Sequence, residues 1–287
     1  MSNLKLLRGR VKSIKSTQKI TKAMQMVAAS KLKKIRDQIS DSHNYLDVLS
    51  SMMSVISSGY ALQDLAQNLQ KFFDPLTASL RPVLLIVLTA ERGLCGSFNF
   101  SIIKKVKTDL SLMLANGKKF KLIVIGKKGY DALKNDYLEY IDGYFNISKS
   151  MNENTVHSIK QKIVRMVENE EVGECNLYFS KFKNAITQVS TKQTILPVIL
   201  RATGSSNCDF EGEGLVQNLV NLYIEGQVNY ALLQNKASEE GARMTAMDSA
   251  TKNANEMIDK LTLKLNRSRQ AIITKELIEI ISGAEAS

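Results

Sequence analysis

"RGRVKSIKSTQKITKAMQMVAASKLKKIR" occupies residues 8–36 and carries two periodicities at once. Alternating steps of three and four from Leu4 to Ile56 visit 16 positions, and twelve are apolar, among them Leu4, Val11, Ile14, Leu32, Ile35, Ile39, Leu46 and Leu49. The same stepping from Tyr230 to Ile272 finds ten apolar residues in thirteen, including Leu233, Met244, Met247, Ile258, Leu261 and Leu265. Apolar residues repeating every 3.5 positions predict a coiled coil rather than ordinary surface helices. The prolines are Pro75, Pro82 and Pro197, so neither end meets the strongest helix breaker. At 1.5 Å per residue the two helices reach roughly 80 Å and 100 Å, which predicts an elongated molecule.

The second periodicity is electrostatic. Residues 1–36 hold eleven Lys or Arg and no Asp or Glu, which equals the formal net charge of +11 for the whole chain. One row, a residue behind the apolar seam, reads Lys5, Arg8, Lys12, Lys15, Lys19, Lys22, Met26, Ala29, Lys33 and Arg36. Seven like-charge pairs at i,i+3 or i,i+4 cost an isolated helix roughly 1.5–3.5 kcal/mol in all. Something acidic outside the helix is needed to offset that.

Between the terminal helices the pattern changes. "PVLLIVLTA", "FKLIVIG" and "ECNLYFSKF" are short β-rich runs separated by helical stretches such as "SIIKKVKTDLSLMLANG" and "NTVHSIKQKIVRMVENEE". That alternation predicts an α/β domain with a largely parallel sheet. "AITQVSTKQTILPVIL" adds one or two strands, and segment 58–80, weakly periodic, leads into the sheet. The divisions are 1–57, 58–210 and 211–287. No apolar run reaches membrane-spanning length, and the N-terminus lacks the apolar core of a secretory signal. The 44% hydrophobic and 23% charged content suits an ordered protein. Cys95, Cys175 and Cys208 form no CxxC pair, which predicts reduced thiols, and two histidines make a multi-histidine metal site a poor expectation.

The α/β domain invites a nucleotide-binding reading that the loops discourage. "TAERGLCGSFN" after the first strand lacks GxGxxG spacing, and "GKKGYDALK" after the second is not GxxxxGK[ST]. A lone Cys95 without a neighbouring His is expected to be packed rather than nucleophilic, and His43 to be a surface residue. No cofactor and no small-molecule substrate are expected. Nucleic acid would neutralise the cationic row, yet residues 1–36 contain no Phe, Tyr or Trp to stack on bases. The heptads also run through the cations instead of starting after them. A transit peptide would precede the folded part, and a membrane-surface helix would set bulky apolar residues against its cations. A protein partner with acidic loops remains, with a basic coiled-coil nucleic-acid-binding protein as the alternative.

"TQKITKAMQMVAASKL" at 17–32 resembles the N-terminal helix of the gamma subunit family of F-type ATP synthases. "GLCGSFN" at 93–99 is similar to that family's loop after the first strand. "NKASEEGARMTAMDSATKNA" at 235–254 and "LNRSRQAIITKELIEIISGA" at 265–284 resemble its C-terminal helix, with Ile273, Thr274, Glu276, Glu279, Gly283 and Ala284 in register. Ser97 and Phe98 stand where many members have Gly and Leu, and 58–80 carries no family match. The resemblance implies a non-catalytic central-stalk rotor subunit: an antiparallel two-helix coiled coil plus a central Rossmann-like α/β domain. It implies alpha and beta ring subunits around the coil, an epsilon subunit and the membrane c-ring below, and rotation that couples proton flow to ATP synthesis or hydrolysis. Acidic loops of the ring would meet the cationic row. With Met1 a few residues before the first helix, the expectation is a bacterial chain, peripheral on the cytoplasmic face of the inner membrane.

Within that frame the ring-facing residues are Lys15, Lys19, Lys22, Met24, Arg243, Arg269, Gln270, Thr274 and Glu276. Aligning Ser57 with Glu211 at the lower end sets Met24 against Met244, beside Arg243 and Met247. The same register sets Met1 opposite Arg267, so the helix beyond Ser268 stands alone. Its Ile272, Ile273, Leu277, Ile278, Ile280 and Ile281 spread around nearly the whole circumference, which predicts an apolar collar in the ring acting as a bearing.

Overall fold

The computed structural model describes residues 2–59, 67–146, 153–198 and 213–285. Helix α1 runs from Ser2 to Gly59, and two short helices follow, α2 (Gln67–Gln70) and α3 (Pro75–Leu80). They occupy the described part of the segment expected to lead into the sheet. Helix α3 starts where Pro75 takes the first position and the Asp74 carboxylate accepts from Leu76 N (2.9 Å) and Thr77 N (3.4 Å). Next come β1 (Val83–Leu88), α4 (Phe98–Ala115), β2 (Phe120–Ile125) and α5 (Lys127–Tyr137). Then follow β3 (Ile141–Phe145), α6 (Glu153–Glu168), β4 (Glu174–Phe182), β5 (Gln188–Leu196) and α7 (Glu213–Glu285).

The chain forms two compact units, Met1–Ala29 with Arg243–Ser287, and Ser30–Ala242. The second holds a five-stranded sheet of order β3-β2-β1-β4-β5 among the described residues, parallel except for β5, which pairs antiparallel with β4. It is α/β as the alternation predicts. All six residues of β1 are buried because helices cover both faces. Period-two alternation deals them to opposite cores. Leu84, Ile86 and Leu88 join α6 through Ile159, Ile163 and Met166, and meet Leu46, Leu49, Val220 and Ile224 of the long helices. Val83, Leu85 and Val87 join Ile102, Val106 and Leu110 of α4 and Leu133 of α5.

Strand β3 has no counterpart in the sequence reading. "IDGYF" is short, half-exposed along its length and interrupted by Asp142 and Gly143, so no buried apolar run marks it although Ile141, Tyr144 and Phe145 favour strands. The stretch expected to give one or two strands gives one, β5. Cys95 is buried, and Asn99 Nδ2 donates to its sulfur at 3.2 Å. His43 is exposed beside Asp47 (3.7 Å). Cys208 lies outside the described residues.

Candidate functional site

In the unit formed by the two chain ends, the seam positions counted in the sequence all turn inward. Leu7, Thr21 and Ala28 of α1 are buried, and Leu4, Val11, Ile14, Gln18 and Gln25 are half-buried. On α7 Met247, Thr251 and Ala254 are buried, and Met244, Ile258, Leu261, Leu265, Ser268 and Ile272 half-buried. The polar members of the seam are where the helices bond. Thr21 Oγ1 lies 2.8 Å from Thr251 Oγ1, Gln18 Nε2 donates to Asn255 Oδ1 (2.6 Å), and Gln25 Nε2 donates to Asp248 Oδ1 (3.0 Å). Asp248 also receives Lys252 at 2.8 Å, and that hydrogen bond holds the carboxyl below, and the ammonium above, its ordinary range.

These bonds correct the expected register. Aligning Ser57 with Glu211 sets Thr21 opposite Met247, whereas it meets Thr251, one turn further along α7. The described helices end at Gly59 and begin at Glu213, two residues later at each end than the assumed alignment. Met24, half-buried, is therefore level with Asp248 and not with Met244 and Arg243. Arg243 is nearly buried, at 9% exposure.

Lys5, Arg8, Lys12, Lys15, Lys19 and Lys22 are all exposed along one flank of α1, as the row predicts. An open groove is lined by Arg8, Val11, Lys12, Lys15, Ser16, Lys19 and Leu265, so four cations border an apolar floor. Lys22 Nζ donates to Gln25 Oε1 at 3.2 Å. Near the end of α7 Arg269, Gln270 and Thr274 are exposed, and the side chain of Glu276 lies outside the described residues. Ile273, Leu277, Ile278, Ile280 and Ile281 are 45–68% exposed, an apolar helix end open on several sides.

In the other unit the sheet itself offers a place for chemistry. Strand β1 continues to β2 on one side while β4 lies on its other side, so the crevice at the carboxyl ends of β1 and β4 is a topological switch point. Helix α7 fills it. Strand β1 ends at Leu88, and past it Ser180 of β4 has no β1 partner. Ser180 N donates to Asn235 Oδ1 (3.1 Å), and Ser238 Oγ donates to Ser180 O (2.8 Å). One step on, Phe182 N donates to Gln234 Oε1 (3.0 Å). Asn235 and Ser238 are 5% and 0% exposed, polar groups tolerated in a core because they close a strand end. Sequence reasoning missed this role. Its signal was present, since Gln234, Asn235 and Ser238 sit among Ala231, Leu232, Leu233 and Ala237 on α7, all of them buried.

At the second βα junction Gly126 has φ +99°, and a Cβ there would lie 2.3 Å from Thr89 O, so a side chain is excluded. Thr89 Oγ1 accepts from Gly129 N at 2.8 Å and ties that turn to β1. Tyr178 OH donates to Asp109 Oδ2 (2.7 Å), and burial, with that carboxylate, pushes the phenol pKa up. Burial also raises the Cys175 thiol, an inert packed group. Among the described residues no His, Cys, Asp and Glu cluster could hold a metal ion, and no helix is long and apolar enough to cross a membrane.

The family model for ATP synthase matches residues 3–286. The ATP synthase gamma chain of Rickettsia bellii (strain RML369-C) is 58% identical over the full length of both chains, and that of Rickettsia prowazekii (strain Madrid E) 55%. Among solved structures, a chain from the central stalk and c-ring of Tetrahymena thermophila mitochondrial ATP synthase superposes with a TM-score of 0.61 at 26% identity. It covers 80% of this chain and 99% of its own. A chain of the Euglena gracilis mitochondrial ATP synthase, at 17% identity and a TM-score of 0.67, covers 99% and 94% and shares the fold.

Proposed function

The chain belongs to the ATP synthase gamma-chain family, and from that premise we propose how its parts divide the work of a rotor. It is the central-stalk subunit, and it couples proton flow through the membrane sector to ATP synthesis or hydrolysis by rotation. It is non-catalytic: the nucleotide chemistry belongs to the alpha and beta subunits, and this chain supplies the turning asymmetric surface. The whole-length match to gamma chains sets aside the nucleic-acid-binding alternative.

The single observation that carries the mechanism is the side-by-side placement of an inward polar-apolar seam and an outward cationic flank on α1. The seam joins α1 to α7 by cross-helix bonds, so torsion on one helix reaches the other. The flank, with Lys15, Lys19 and Lys22, faces acidic loops of the beta subunits. Attraction between a row of flexible cations and an acidic sleeve needs no fixed side-chain fit, which suits a surface that must slide. Met24 and Arg243 lie on the coil within the ring, while Arg269, Gln270, Thr274 and Glu276 supply polar contacts at an apolar bearing.

The α/β unit serves as the lower platform, towards the epsilon subunit and the c-ring, at the cytoplasmic face of the bacterial inner membrane. We keep 1–57, 58–210 and 211–287 as the working functional division. The chain should assemble with its alpha and beta subunits into a ring whose ATP hydrolysis turns a bead attached to the α/β unit. A ring that assembles and hydrolyses ATP while the attached bead does not rotate would overturn the shaft reading.

A further inference from the structure

The groove between α1 and α7 combines two characters that a helix surface rarely brings together. Arg8, Lys12, Lys15 and Lys19 follow one another at steps of four, three and four, a row of roughly 16 Å along α1. All four are exposed, and among the described residues none of them has a hydrogen bond or an ion pair. The carboxylates of α7 at that height, Glu256 and Asp259, are exposed and do not line the groove. Beneath the cations Val11 of α1 and Leu265 of α7, both half-buried, form an apolar floor. The groove encloses about 440 Å³, within the span of about 300–1,000 Å³ usual for small-molecule sites.

Unpaired cations over an apolar floor select a ligand with both an anionic head and an apolar body. A nucleotide or inorganic phosphate fits poorly. The backbone N–H groups in the middle of a helix are already bonded within it, so such a ligand would meet side-chain cations alone and leave Val11 and Leu265 in water. An acyl chain laid along Val11 and Leu265 takes that surface out of water while its carboxylate meets the cations. An anionic bilayer would neutralise the outer cations yet hold its acyl chains away from a floor recessed between two helices.

We propose that the groove binds a single-chain amphiphilic anion, a free fatty acid, with its carboxylate among Lys12, Lys15 and Lys19 and its chain along Val11 and Leu265. This site goes beyond the rotor reading, and its existence rests on the groove alone. The two meet at one point: the same cations would serve the acidic loops of the ring, so ligand and loops exclude each other in the assembled complex.

The test titrates the full-length chain with dodecanoate carrying a photoreactive diazirine near its methyl end, below its micellar concentration. Irradiation should label peptides that contain Val11 or Leu265. Lys12→Gln/Lys15→Gln/Lys19→Gln should lower the affinity at least tenfold, and Leu265→Gln about fivefold. Lys33→Gln/Lys34→Gln, on the same helix outside the groove, should leave it within twofold. Dodecanol, which keeps the chain and lacks the charge, should bind at least tenfold more weakly, and each CH₂ removed from the acid should weaken binding about two- to threefold. Label on the exposed Ile280 and Ile281 instead would overturn the proposal. So would an affinity unchanged in both groove variants, or equal groove labelling from phosphatidylglycerol vesicles bearing the same diazirine. In the assembled complex the groove label should fade, as the rotor reading requires. Groove labelling that persisted there would count against the acidic sleeve of that reading and leave the site itself standing.

Discussion

Thr21 and Thr251, 230 residues apart in sequence, meet hydroxyl to hydroxyl at 2.8 Å across the coil, and both are buried. Each hydroxyl also reaches a carbonyl of its own helix, Thr251 Oγ1 that of Met247 at 2.7 Å and Thr21 Oγ1 that of Gln18 at 3.0 Å, so one of the two donates across the coil while the other donates to its own helix. The result is a polar link from one helix to the other in a seam whose apolar members are Ala, Met and longer aliphatic residues. Gln18–Asn255 and Gln25–Asp248 flank it on either side. Polar residues at seam positions favour one alignment at some cost in stability, because a shifted partner leaves them without their bonds.

A double-mutant cycle should therefore find Thr21 and Thr251 coupled. Thr21→Val or Thr251→Val alone should cost about 0.5–1.5 kcal/mol, modest because each hydroxyl also has a carbonyl of its own helix within reach. The double variant should cost less than the two together by about 0.5–1 kcal/mol. Urea unfolding of the full chain, followed by helical circular dichroism, reads both quantities. Strict additivity would mean that the contact is incidental.

Asn235→Ala should be more damaging than its neutral side chain suggests. It strands the buried Ser180 N–H at the end of β4, a loss of about 1–3 kcal/mol. Asn235→Asp keeps an acceptor but buries a charge, and should fall no closer to the parent than Ala does. Thermal midpoints of the three chains decide the order.

Replacing Lys15, Lys19 and Lys22 together with Gln removes like-charge neighbours along the exposed flank, each worth about 0.2–0.5 kcal/mol to helix stability. The isolated chain should become slightly more helical. The assembled complex should lose coupling, and the loss should be largest at low ionic strength, where screening is weakest. Wild-type synthesis and hydrolysis in low salt would mean that the row is a solvated face.

Deleting residues 277–287 removes the exposed Leu277, Ile278, Ile280 and Ile281. Assembly should loosen and proton-coupled synthesis fall before hydrolysis is lost. Single Ile→Val changes there should be nearly silent, since a collar gripping from several sides needs no unique fit. Native gel mobility and paired synthesis and hydrolysis assays separate these outcomes. A strong effect of Ile280→Val would point to a specific pocket instead.

Acidification should destabilise the chain through several carboxylates at once. Glu170 is held below its ordinary range by Lys71 and then Arg81, Glu171 by Lys121 and Asn169, and Asp74 by the Leu76 amide and Thr77. Burial raises Glu174, but its bonds from Asn176 and Lys118 outweigh that and the net shift is downward. A carboxyl whose folded pKa is depressed contributes stability that is complete above its unfolded value and is lost as pH falls through the folded one. The urea midpoint should thus be flat above about pH 5 and drop below about pH 4. A midpoint that rose on acidification would contradict these assignments.

The terminal helices, the side of each that turns inward and the cationic flank were all determined by the sequence alone. A period of 3.5 residues is local information: any window of α1 or α7 reports which residues share a face. The parallel strands β1, β2 and β4 were legible for the same reason, because burial on both faces favours short runs dominated by apolar and aromatic residues. Alignment between the helices is not local. An apolar seam looks much the same after a slide of one turn, and Ser57 and Glu211 each lie two residues before the described helix ends at Gly59 and Glu213. Gln18, Thr21 and Gln25, which read along α1 as flaws in the pattern, fix the register once Asn255, Thr251 and Asp248 stand opposite them. The same holds for Asn235 and Ser238, whose purpose depends on a strand end more than fifty residues away in the chain. Hydrogen bonds are satisfied between particular atoms in space, so the polar residues acquire their meaning only in the tertiary structure.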